Sequence, residues 1–200
     1  MEVIEVLPVK EVLHSQKGET ILDFGQNIAG IVQMKTDVPK GTKIVLEHCE
    51  VLDKEGNYIN NIMSVGGIGK GCDQKDVYIS SGKKATYIPH FTYHGFRYVK
   101  VTGIQAKAQD FSALVLSSRK EETGTFETSD ARLNQLYENT KWSQWANMLS
   151  IPTDCPQREK AGWTGDMLVY SKTAMQIEDC TNLFTRWLEN MACDQDKYGA

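Results

Sequence analysis

The sequence predicts a β-sandwich over residues 1–118 followed by an α-helical segment over residues 119–200. Three observations carry that reading. Up to about Ser118 the apolar residues come in short runs rich in β-branched and aromatic types, separated by turn residues. After the charged stretch Arg119-Lys120-Glu121-Glu122 they recur at helical spacing instead. A chain that is 40% hydrophobic and 24% charged has the balance of an ordinary globular protein, which excludes wholesale disorder.

Six runs read as strands in chain order: Thr20–Phe24, Ile31–Met34, Lys43–Glu47, Asp76–Ile79, Phe96–Val101 and Ala113–Leu116. Pro39-Lys40-Gly41, Lys54-Glu55-Gly56-Asn57 and Ser81-Gly82 punctuate them, combining residues that preset or tolerate turn dihedrals. Short strands repeated at this spacing suit a sandwich. Asn60 to Cys72, with Gly66, Gly67, Gly69 and Gly71, reads as a long mobile loop across one edge.

In the second region Ser129 is placed to cap a helix with Asp130 in its first turn, and Leu133, Leu136, Tyr137, Thr140 and the Trp142/Trp145 pair mark its less polar side. Asp179 is placed to cap another, in which Leu183, Phe184, Trp187, Leu188 and Met191 form a helical stripe. Ile151 to Gly165 holds Pro152, Pro156, Gly162 and Gly165, so it reads as a loop joining helices.

Charge narrows the partners. The net charge is −4, and the acid excess lies from Glu121 onward, where 13 acidic side chains face 7 basic ones. No basic stripe is present to neutralise phosphates, so nucleic acid is not an expected partner. Apolar runs such as Ile44-Val45-Leu46 fall far short of the ~20 residues of a membrane-spanning helix, and no membrane partner is expected. Residues 1–20 carry Glu2, Glu5, Lys10 and Glu11, which do not make a secretory signal, and localisation stays open between cytoplasm and secretion. Five cysteines at irregular spacings, with no C-x-x-C, read as reduced thiols.

The loop from Asp154 to Asp166 is the most informative piece of the chain. It sets three carboxylates, Asp154, Glu159 and Asp166, among Arg158, Lys160, Trp163 and two glycines. A loop at helix ends can aim all three at one concavity. Glycoside hydrolysis needs a carboxylic acid to protonate the leaving oxygen and a carboxylate to activate water, and an indole suits a sugar ring. A solvated, capped interhelical loop is the competing reading of the same residues. Other constellations carry less chemistry. His90 and His94, four apart on a strand, stand about 13 Å from each other and cannot share a metal, so no metal site and no cofactor are expected. Gly67-Ile68-Gly69-Lys70-Gly71 lacks the strand and helix of a phosphate cradle. Cys155 has no histidine nearby in sequence and reads as a small buried or half-buried thiol, while Trp142, Trp145 and Trp187 read as core.

The run Ser150-Ile151-Pro152-Thr153-Asp154-Cys155-Pro156-Gln157-Arg158-Glu159, followed by Gly162-Trp163-Thr164-Gly165-Asp166, resembles the active-site signature of the bacterial α-L-rhamnosidases of glycoside hydrolase family 78. Asp23 to Gly30, Phe91 to Val99 and Gly124 to Asp130 are also similar to that family, in the family's order. The resemblance implies that the first region is a β-sandwich domain and that the second opens an (α/α)6 catalytic barrel, which this chain is too short to close. By the same likeness Glu159 is the general acid of an inverting hydrolase releasing terminal α-L-rhamnose from glycosides or polysaccharides. Asp154, Arg158, Trp163 and Asp166 then bind the sugar. Many members read D-C-P-Q-R-D-E-R-x-G-W-x-G-D, whereas this chain has one residue fewer between Arg158 and Gly162. Alignment from the Gly162-Trp163 anchor places Glu159 on the acid.

Further expectations concern the charges, the missing base and the competing function. Arg158 turns toward Asp154 or the substrate, while burial and Asp166 raise the Glu159 carboxyl. The general base lies beyond Ala200, so these 200 residues are an interior segment that is inactive by itself. A non-catalytic carbohydrate-binding or scaffold β-sandwich with a helical extension is the alternative function.

Overall fold

The computed structural model describes residues 1–60, 73–119 and 121–199, so the expected loop from Asn60 to Cys72 lies almost wholly outside the described residues. The strands are β1 (Glu2–Pro8), β2 (Glu11–His14), β3 (Thr20–Thr36), β4 (Lys43–Cys49), β5 (Lys75–Ile79), β6 (Ala85–Tyr87), β7 (His94–Thr102) and β8 (Phe111–Ser117). They form one antiparallel sheet in the order β1-β8-β3-β7-β4-β5, with β2 and β6 also paired to β3. The helical region holds α1 (Ala131–Asn147), a short hairpin of β9 (Met148–Leu149) and β10 (Ile151–Pro152), α2 (Thr164–Ile177) and α3 (Thr181–Tyr198).

The expected sandwich is thus a single sheet that curls on itself, and β3 is the reason. The sequence reads as two strands, Thr20–Phe24 and Ile31–Met34, but the backbone runs through both as one strand of 17 residues. Its first part pairs with β2 and β7, and its second with β8 and β6. Alternation along β3 then buries both faces. Leu22, Phe24, Ile28, Val32 and Met34 join Ile44, Leu46, Phe96, Val99 and Phe111 in the main core. On the opposite face Ala29 and Ile31, with Leu116 of β8, pack against Ala146 and Leu149, which fastens the helical region to the sheet.

Between Asp23 and Ile28 the register with β7 shifts, and Gly25 takes the left-handed conformation (φ 79°) that glycine adopts without strain. Arg97 forks onto Asp23 across the bulge, with Nε and Nη2 each 2.8 Å from a carboxylate oxygen, and the Gly25 N–H donates to the same side chain. Burial alone would raise the Asp23 carboxyl. The bonds from Arg97 and Gly25 outweigh it and hold the group below its ordinary value.

In the helical region Asp130, not Ser129, is the N-cap of α1, accepting from the Arg132 N–H at 2.9 Å. Its carboxylate satisfies the second helical N–H, which has no intrahelical acceptor. Asp179 accepts from the Thr181 N–H at 2.9 Å beside the start of α3. Trp187, Met148, Met167, Ala174 and Cys180 form a second core, to which Leu183, Phe184 and Met191 of the expected stripe add. Leu188 faces outward with Leu168 and Val169 of α2. No helix among the described residues is long and apolar enough to cross a membrane.

Glu178, just after α2, ties the helices together. It is 2% exposed, and its two oxygens accept from the Trp145 indole at 2.5 Å and the Gln144 amide at 3.2 Å. Burial raises its carboxyl, and these two bonds only partly offset the effect. An acid raised on folding favours the folded state while protonated. That advantage is lost as pH climbs from the ordinary value of 4.5 through the raised one. Relative to Glu178→Gln, the wild-type chain is therefore expected to be more stable at pH 4.5 than at pH 8, in paired denaturant titrations. A stability gap independent of pH would contradict this account.

Candidate active site

The loop after β10 is closed at its neck. Thr153 donates its N–H to the Asn147 carbonyl at 2.8 Å, anchoring the loop to the end of α1. Asp154 and Ala161 then bond reciprocally: the Asp154 N–H reaches the Ala161 carbonyl, and the Ala161 N–H reaches Asp154 Oδ1, both at 3.0 Å. The Cys155 thiol fills the ring so formed, donating to Asp154 Oδ2 at 2.9 Å and accepting from the Glu159 N–H at 3.3 Å. It is half-buried, as its sequence reading has it, and the four cysteines among the described residues are free. Lys160 turns the chain with φ 53°, and Gly162 lies where a Cβ would come 2.9 Å from the Trp187 indole nitrogen.

Inside this frame Glu159 is 14% exposed and held at both oxygens. Arg158 Nη2 is 2.8 Å from Oε1, and the Trp163 indole N–H donates to Oε2 at 2.7 Å. The expectation that Arg158 turns toward Asp154 or the substrate is therefore corrected, since the adjacent carboxylate is the nearest anion and the loop lets the two side chains meet. Both Glu159 oxygens accept, so proton donation requires one of these contacts to be released. Trp163 is 46% exposed and precedes the first residue of α2, and Asp166 is exposed in that helix's first turn. Asp154 and Asp166 line the same open cavity of about 530 Å³, walled by Ser143, Asn147 and Tyr170. Glu159, Arg158 and Trp163 are not among its lining residues, so two of the three carboxylates share a concavity.

The loop rests on the sheet. Lys160 Nζ donates to the Tyr93 carbonyl at 2.6 Å and lies 4.1 Å from the Tyr93 ring centroid. Pro156 and Gln157 press on Gly95, where a Cβ would meet the proline Cγ at 2.8 Å and the Gln157 nitrogen at 3.0 Å. Gly95 is gripped from behind by the Gln74 amide, which both donates to its carbonyl and accepts from its N–H at 2.8 Å.

Next to this grip lies a group that sequence reasoning missed. His48 and His94 stack at 4.1 Å, and His94 Nε2 is 3.1 Å from Asp76 Oδ1. Burial drives the His48 imidazole down to about 3, and His94 adds to the effect, so the ring stays neutral with Nδ1 facing the Gln74 carbonyl at 3.0 Å. Burial would raise the Asp76 carboxyl, but the bond from His94 keeps it below its ordinary value. His48, Asp76 and His94 offer three potential metal ligands within 4.8 Å of one another. Both rings turn Nε2 toward the Asp76 carboxylate, His48 at 3.8 Å and His94 at 3.1 Å, and only the His94–Asp76 contact is a hydrogen bond. The sequence weighs His94 against His90. Its partner is His48, 46 residues away on a strand whose pairing no local pattern reveals. Trp145 and Trp187 are buried as read, and Trp142 is half-buried.

Comparison with known proteins gives a consistent result. Residues 13–117 match the bacterial alpha-L-rhamnosidase concanavalin-like domain, and residues 121–200 match the bacterial alpha-L-rhamnosidase 6 hairpin glycosidase domain. An alpha-L-rhamnosidase of Streptomyces avermitilis is 37% identical over 100% of this chain and 19% of its own length. One of Formosa agariphila is 36% identical over 91% of the chain and 19% of its own length. The crystal structure of the Streptomyces avermitilis alpha-L-rhamnosidase complexed with L-rhamnose aligns at TM-score 0.87 and 35% identity, over 96% of this chain and 19% of that one. The native enzyme of Aspergillus terreus aligns at TM-score 0.88 and 35% identity, over 98% and 22%. The chain spans about a fifth of the length of these relatives.

Gly95 should tolerate no side chain, because the atoms a Cβ would meet belong to a proline ring and a backbone nitrogen. Gly95→Ala is expected to lower stability by about 1–3 kcal/mol, the range of core overpacking. Chemical denaturation measures it, and a variant as stable as wild type would show that the loop does not press on β7.

Proposed function

The chain belongs to the bacterial α-L-rhamnosidase family, and on that premise we propose that it supplies the acid side of an inverting glycoside hydrolase. The enzyme releases terminal α-L-rhamnose from rhamnose-containing glycosides or polysaccharides. Residues 1–118 serve as its β-sandwich domain and residues 119–200 as the first part of its helical catalytic domain.

Glu159 protonates the glycosidic oxygen. Asp154 and Asp166 accept from rhamnose hydroxyls in the cavity they share, Trp163 walls the ring, and Arg158 reaches a hydroxyl once substrate competes for it. That competition frees a Glu159 oxygen to take up a proton from solvent, which the carboxyl then donates to the leaving oxygen. The observation that supports the reading most is the closed ring from Asp154 to Ala161, which fixes Glu159 between a guanidinium and an indole beside that cavity. Inversion also requires a base about 6.5–9.5 Å from the acid on the far face of the sugar. We assign it to no carboxylate of this loop, since Asp154 and Asp166 are committed to the hydroxyl side.

In the enzyme that contains this sequence, Glu159→Gln should cut turnover of a rhamnosyl disaccharide by about 10² or more, the scale of general acid catalysis. An aryl rhamnoside, whose leaving group needs less protonation, should lose less. Turnover of both substrates within a few-fold of wild type would remove Glu159 from the acid role.

A further inference from the structure

The β3 bulge does work that the core does not require. The Asp23–Arg97 fork and the left-handed Gly25 hold it, and they leave Gln26 half-buried and Asn27 exposed, outside the three hydrophobic clusters. Bulges of this kind re-aim side chains and recur beside binding sites. Here Gln26 and Asn27 face the second half of α1 across a cleft of about 260 Å³, on the scale of a single sugar ring and below the ~300–1,000 Å³ of drug-sized sites.

The walls of the cleft define what it can take. The sheet contributes Gln26, Asn27 and Glu50, and the helix contributes Asn139, Ser143 and Asn147. Trp142 and Pro156 supply an apolar surface. Among the described residues no lysine or arginine lines the cleft, so none of them recognises a phosphate or carboxylate ligand there. Glu50, the single carboxylate among the described lining residues, already accepts from the Asn27 amide at 3.1 Å, which orients both groups. Asn147 is oriented likewise, donating to the Ser143 carbonyl at 3.0 Å. Amides and a hydroxyl that both donate and accept, set beside an apolar wall, match a neutral polyhydroxylated ring.

Its location gives that ring a place in a substrate. Ser143 and Asn147 also line the cavity that holds Asp154 and Asp166, and Pro156 belongs to the loop that carries Glu159. We propose that the cleft between the β3 bulge and α1 is a saccharide subsite that binds the sugar unit attached to the rhamnose. This assignment rests on the rhamnosidase reading above and deepens it: the β region selects the leaving group, while the loop holds the rhamnose.

The test is ligand-observed NMR titration of the full 200-residue chain with two probes, methyl α-L-rhamnoside and a rhamnosyl-glucose disaccharide. The disaccharide should bind about fivefold more tightly or better. Asn27→Ala and Asn139→Ala, on two different elements and both exposed, should each lower disaccharide affinity several-fold, the scale of one hydrogen bond lost. Their circular dichroism should match wild type. Equal affinity for the two probes, or disaccharide binding that neither substitution weakens, overturns the subsite while leaving the rhamnosidase reading in place. Failure of both probes to bind overturns the subsite together with the hydroxyl contacts assigned to Asp154 and Asp166.

Discussion

The structure depends on one constraint, that β3 must serve two walls and two faces at once. A strand of 17 residues cannot stay flat in a twisted sheet, so the pairing on each edge changes partway along it. The curl that follows encloses the main core without a second sheet. Alternation of side chains then leaves Ala29 and Ile31 pointing outward, and they are what α1 is packed against. The bulge at Gly25 absorbs the change of direction, and the Asp23–Arg97 fork stops it from slipping. Core, domain contact and cleft therefore trace back to the same strand.

The loop from Asp154 to Ala161 inherits its position from that arrangement. It holds itself closed through backbone bonds at its neck, but its orientation comes from outside, from Tyr93 and Gly95 at the start of β7. Gly95 matters because it has no side chain, which lets a proline lie directly on the strand. The Gln74 amide pairs with both backbone groups of Gly95, so a strand displaced at Gly95 would lose two hydrogen bonds as well as the contact. The acidic residue with the most exacting surroundings is thus supported by β residues distant in sequence, and the two regions form one working unit.

How much of this the sequence discloses follows from the range of each interaction. The change from strands to helices near Arg119 is a local periodicity, and it was legible. So were the strands over Lys43–Glu47 and Phe96–Val101, whose branched and aromatic runs match β4 and β7 within a few residues. The strand from Thr20 to Thr36 reads as two because Gly25, Gln26 and Asn27 look like a turn, and only pairing to β7 shows the backbone continuing. β6, three residues long, and the β9–β10 hairpin have too little pattern to register. At the site, the spacing of Asp154, Glu159, Trp163 and Asp166 marks a loop with chemistry in it. It does not tell which charge Arg158 will take, since two adjacent side chains can meet or diverge with equal sequence signal. His48, Asp76 and Glu178 carry no local signal at all. Each stands beside another polar residue, Glu47, Lys75 or Asp179, and so reads as ordinary surface, while its partners arrive through strand or helix packing.

Two buried carboxylates stand on opposite sides of the loop and respond to acid in opposite senses. Asp76, beneath β7, is held below its ordinary value by His94, so the stability it adds is present above the unfolded value and is lost as pH falls through the depressed one. His48 acts in the same direction: a ring kept neutral down to about 3 favours the folded state above 6.5 and opposes it progressively below. Glu178, on the helical side, is raised by burial and is relieved by protonation. Acidification therefore weakens the sheet-side support of the loop and strengthens the helix-side one. The loop's own bonds, Asp154 to Ala161 and Glu159 to Arg158 and Trp163, lie between these two supports. The contact at Gly95 belongs to the acid-sensitive side, because Gln74, whose amide grips Gly95, also offers its backbone carbonyl to the His48 ring.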